Sequence, residues 1–92
     1  MRFRLVEGAD VAGFRAADTR LQTAFAYQQP GLLRRTTARS SDGGWVVIDI
    51  WRAAADADAC EARWSADPVV RDFLQYVDET TIQSERYDEL DA

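Results

Sequence analysis

The chain has 92 residues, 47% hydrophobic and 29% charged, which gives room for one core and a single domain over 1–92. A formal net charge of −5 argues against a nucleic-acid binder, which needs a basic face against phosphate, and no apolar run approaches the roughly 20 residues of a membrane span. With no His and one Cys, a Ser-His-Asp or Cys-His triad, a His-ligated metal or haem, a zinc site and an internal disulfide are all excluded.

"MRFRLVEG" alternates, with Phe3 and Leu5 on one face and Arg2, Arg4 and Val6 on the other, and so predicts a first strand rather than the apolar run of a secretion signal. The lone Cys60 suits a reducing, cytoplasmic setting. Asp10 is placed to cap a helix in which Val11, Phe14, Ala17, Leu21, Ala24, Phe25 and Gln28 share one face. "QQPG" ends it, because Pro30 cannot continue a helix and Gly31 permits the turn.

"LLRRTTARS" and "WVVIDIW" flank "SDGG", and Asp-Gly between two β-prone runs predicts a hairpin. A second helical region starts near Ala55, with Asp56 and Asp58 favourably set against the helix dipole. It breaks at "SADP", where Asp67 caps a further helical segment with Pro68 in its first position. Val69, Val70, Phe73, Leu74 and Val77 continue its apolar stripe. "TTIQSERY" reads as a last strand, followed by an acidic tail.

The order β-α-β-β-α-β is the split β-α-β of an α+β, ferredoxin-like fold. Right-handed crossovers give an antiparallel four-stranded sheet in the order 4-1-3-2, with the helices on one face. Strand three is apolar on both sides, so the bare face needs a cover, and a second copy of the chain supplies one. A homodimer is therefore expected.

"FAYQQPGLLRR", "DGGWVVIDIW" and "ACEARWSADPVVRDFL" are similar to the antibiotic-biosynthesis-monooxygenase-like group of dimeric α+β barrels, over essentially the whole chain. The resemblance rests on Gln29-Pro30-Gly31 before strand two, Trp51 closing strand three, and the Asp67-Pro68 break in the second helix. It implies two sheets packed face to face, with a pocket in each subunit between sheet and helices. Members of the group include cofactor-independent oxygenases of phenolic polycyclic compounds and haem-degrading enzymes. In the latter, a Trp is followed ten residues later by an iron-binding His. Here Trp64 is followed by Leu74, so no haem is expected. Quinone-forming members often carry an Asn four residues before the strand-three Trp, where this chain has Val47.

Asp49 is the chemically conspicuous residue, because a carboxylate inside a buried strand must be paired or hydrogen-bonded. If Asp42-Gly43 is a two-residue turn, Ser41 pairs with Gly44, Thr36 with Asp49 and Arg34 with Trp51. Residues opposite one another share a face, so Arg34, Thr36, Asp49 and Trp51 would form one cluster. A loop of odd length would replace Arg34 by Arg35. Either Asp49 and Arg34 are a structural pair, or they line a pocket as base and anion-steadying group. In the second case Trp51, Trp64 and Phe73 would be its walls, and Tyr27 would lie on its rim. The expected function is a small-molecule pocket protein, in the form of a cofactor-independent monooxygenase acting on an aromatic or polyketide-like substrate, with no metal or cofactor. The alternative is a non-catalytic ligand-binding or structural dimer.

Overall fold

A computed structural model describes residues 1–90. Its elements are β1 (Arg2–Leu5), α1 (Val11–Ala24), a 3-10 turn (Ala26–Gln28), β2 (Leu32–Arg39), β3 (Trp45–Trp51), α2 (Ala54–Trp64), α3 (Pro68–Leu74) and β4 (Val77–Gln83). The strands form one antiparallel sheet in the order β2-β3-β1-β4, which is 4-1-3-2 read from the other edge. No helix among the described residues is long and apolar enough to cross a membrane.

Local chemistry explains the boundaries. Asp10 accepts from the Ala12 N–H at 3.1 Å to start α1, and Asp67 accepts from the Val69 N–H at 2.8 Å to start α3. Pro68 sits in the first turn of α3, where its missing N–H costs nothing. Gly31 leaves the 3-10 turn at a φ of 84°, and a Cβ there would meet the Asp56 carboxylate of α2. The residue therefore has to be glycine both for its backbone angle and for the close approach of α2.

Two boundaries differ from the sequence reading. The first helix ends at Ala24 and gives way to the 3-10 turn, so Gln28 lies exposed rather than on its apolar face. The last strand covers Val77–Gln83 instead of Thr80–Tyr87. Val6 N–H donates to the Tyr76 carbonyl at 2.9 Å and Leu5 pairs with Val77, which draws the chain into the sheet directly after α3. Val77, expected on the helical stripe, is buried as a strand residue.

α1 and α3 pack on the sheet face that carries Phe3, Trp45 and Val47. Phe14 is the hub, with Phe3, Trp45, Phe73 and Tyr76 rings at 5.9, 4.8, 5.4 and 6.3 Å. These edge-on and tilted contacts add to the burial of large apolar area. Among the described residues, no helix or strand packs on the opposite face of the sheet. There Ile48 is 53% and Ile50 40% exposed, side by side on β3.

Candidate functional site

The β2–β3 turn decides which side chains meet Asp49. Ser40 N–H donates to the Gly44 carbonyl at 2.8 Å, and Arg39 pairs with Trp45. Ser41, Asp42 and Gly43 therefore form a three-residue loop, with Gly43 at a φ of 87°. The Asp42 side chain holds this loop, accepting from the Gly44 N–H at 2.9 Å and from the Ser40 hydroxyl, while Arg4 bonds it at 3.0 Å. An odd loop shifts the register by one residue and turns every β2 side chain over.

Arg35, not Thr36, consequently lies opposite Asp49. Arg34 pairs with Ile50 and Thr36 with Ile48, both on the uncovered face, so the expected cluster of Arg34 and Thr36 with Asp49 does not form. The arginine of the site is Arg35. The sequence held this alternative in the length of its turn, and the Asp42 side-chain bonds select it.

Arg35 is the only charged residue buried among those described, at 5% exposure. One guanidinium nitrogen donates to Asp18 of α1 at 2.8 Å and the other to Gln22 at 3.4 Å. Thr37, the next helix-facing residue of β2, donates its hydroxyl to the same Asp18 oxygen at 3.1 Å. Nε faces Asp49 at 3.9 Å, within ion-pair range but beyond a hydrogen bond. Asp18 and Gln22 lie one turn apart on α1, so the spacing was visible, but nothing in the sequence marked that helix face as the one against β2.

Asp49 thus sits on the helix side of the sheet, its side chain 37% exposed. Burial pushes its carboxyl above the usual value, more strongly than the nearby Arg35 charge pulls it down. Cys60 of α2 is half-buried nearby, and its thiol is also pushed up, first by burial and then by the Asp49 charge. Groups from α1, α2 and β2 thus surround the Asp49 carboxylate of β3, and the nearest cation, Arg35, stays beyond hydrogen-bond distance of it.

The aromatic residues expected around the pocket divide. Phe73 is fully buried, packed edge-on against Phe3 at 5.8 Å and Trp64 at 6.4 Å. It is a core residue and presents no surface to a ligand, because the sheet and both long helices close over it. Trp64 also packs against Phe25 at 5.8 Å and remains partly exposed. Trp51, two residues beyond Asp49, ends β3 partly exposed on the side that strand alternation gives it. The Tyr27 hydroxyl accepts from the Arg35 N–H at 2.9 Å and donates to the Arg35 carbonyl at 3.3 Å. It satisfies the outer edge of β2 behind the buried arginine.

Two open concavities lie elsewhere. One of about 600 Å³ is on the uncovered side, between Arg2, Arg4, Val46 and Gln83, and one of about 460 Å³ is beside Arg71, Leu74 and Glu79. Neither is lined by Asp49 or Arg35. Among the described residues, no three acidic or sulfur side chains gather as a metal ion would require. Comparison with protein-family models, with curated proteins and with solved structures returned no match for this chain.

Proposed function

We propose that the chain is a ferredoxin-like dimeric α+β barrel protein, similar to the antibiotic-biosynthesis-monooxygenase-like group, whose Asp49 site takes a small aromatic molecule and oxidises it without a cofactor. The observation that carries this reading is Asp49 itself, a helix-side carboxylate with a raised pKa beside a cation that does not close on it. A base whose proton affinity is raised by desolvation is better matched to a phenolic proton than an ordinary surface aspartate.

In the proposed reaction Asp49 accepts the phenolic proton, and the phenolate supplies electrons to O₂. A carbon–oxygen bond forms at the ring, the O–O bond breaks, and phenol plus O₂ become quinone plus water. The buried Arg35 acts on the anion by its charge from behind Asp49, not by contact, and Trp51 offers an aromatic wall two residues from the acid. The exposed Ile48 and Ile50 support a second copy packed on the bare sheet face, since an exposed aliphatic row of this kind is costly in water. The two open concavities described above lie away from Asp49, which favours the second reading, a dimer that binds such compounds without turning them over.

Titration with a panel of phenolic aromatics, followed by the fluorescence of the three Trp residues, tests for binding. Oxygen uptake with the compounds that quench then separates the enzyme from the binder. No quenching by any of them would remove the site reading.

A further inference from the structure

We infer that Asp18 is a positioning residue for Asp49: by holding the Arg35 guanidinium on the α1 side, it keeps that cation from closing on the Asp49 carboxylate. The inference rests on the reading of Asp49 as the working group of the site, but its test needs no ligand.

A guanidinium presents a planar fork that prefers to meet one carboxylate with two parallel bonds. Here the fork is divided. Its outer nitrogens are taken by Asp18 at 2.8 Å and Gln22 at 3.4 Å, and only Nε is left toward Asp49, at 3.9 Å. Asp18 cannot follow Arg35 toward β3, because the Thr37 hydroxyl holds the same carboxylate oxygen at 3.1 Å. A two-bond pair between Arg35 and Asp49 would break the Asp18 bond and leave that carboxylate, itself only 15% exposed, without its cation. The arginine is therefore near enough to influence an anion at Asp49 but is anchored away from it.

The charged and titratable groups that face Asp49 are Arg35 from β2, Asp18 from α1, Cys60 from α2 and the Met1 amino group beside β1. The Asp18 charge acts in the same direction as its anchoring, so the two effects must be read separately.

The test is a carboxyl-detected NMR titration of ¹³C-labelled protein, together with the Arg35 Nε–H signal. Asp18→Asn should lower the Asp49 midpoint. It should also make the Arg35 Nε–H signal follow that same titration, as the freed guanidinium bonds Asp49. Asp18→Glu, which restores the anchor, should return both toward wild type. An Asp49 midpoint that does not fall in folded Asp18→Asn overturns the inference. So does a fall in which the Nε–H signal stays at its wild-type position, since Asp18 would then act by its charge alone. If Asp18→Asn does not fold, Thr37→Val loosens the anchor while keeping every charge. The same two signals should then move in the same directions by less, and no movement overturns the inference. Failure of every aromatic compound to bind would remove the function proposed above and leave these results standing.

Discussion

Arg35 is bonded to Asp18 at 2.8 Å across the α1–β2 interface, with 2% and 15% of the two side chains exposed. This buried pair fixes α1 over the sheet beside Asp49. Taking one partner away strands the other, whereas taking both away need not.

Arg35→Leu should therefore cost on the order of 3 kcal/mol, most of it from the uncompensated Asp18. Adding Asp18→Leu should recover a large part of the loss, a coupling that urea denaturation of both single variants and the double would measure. Strict additivity would show that the pair carries no mutual energy.

Asp49 gives stability a definite pH dependence. Its carboxyl lies above the ordinary value of 3.8, first because of burial. The protonated folded state is favoured, so its contribution is fully present below 3.8 and is lost as pH rises through the folded value. Denaturation midpoints of wild type minus Asp49→Asn should fall across that window and then level off. A difference that rises with pH would mean that Arg35 outweighs burial and holds the carboxyl below its ordinary value.

Tyr27→Phe removes both side-chain bonds to the Arg35 backbone at the outer edge of β2. Because Tyr27 is 44% exposed, water can replace part of the loss, and the expected cost is about 1 kcal/mol. Hydrogen exchange at the Arg35 amide should accelerate more than at neighbouring amides of β2. Unchanged exchange there would show that the hydroxyl does not protect this edge.

How much of this was legible in the chain differs by element. The caps Asp10 and Asp67, Pro68 at the start of α3, and the sheet order all followed from local chemistry and connectivity, which act over a few residues. The helix side of the sheet was legible from Phe3 and Leu5, because alternation in β1 admits one apolar face. The site was harder, because its arginine depends on the parity of one turn. The Gly44 N–H donating to the Asp42 carboxylate favours that parity, and Asp-Gly serves two-residue and three-residue loops alike. Asp18 was invisible for another reason. It is one of several polar residues on α1, and only the packing angle of that helix aims it at Arg35. Phe73 was read as a pocket wall because an apolar stripe does not reveal which of its members lie deepest.

The bare sheet face yields a prediction about assembly. Ile48→Asp places a charge between Val46 and Ile50 on the uncovered face without touching the helix-side core. Sedimentation should find the wild type as a dimer at micromolar concentration and the variant as a folded monomer. A wild-type chain that stays monomeric and soluble under those conditions would contradict the barrel.

The central claim, that the Asp49 carboxylate is the working group of the site, is tested most directly by oxygen uptake of wild type and Asp49→Asn with a phenolic compound that quenches Trp fluorescence. Asn keeps the shape and cannot accept the proton. The expected result is that binding survives while oxygen uptake and its rise with pH are lost. Equal uptake with the same pH profile in both proteins would contradict the claim.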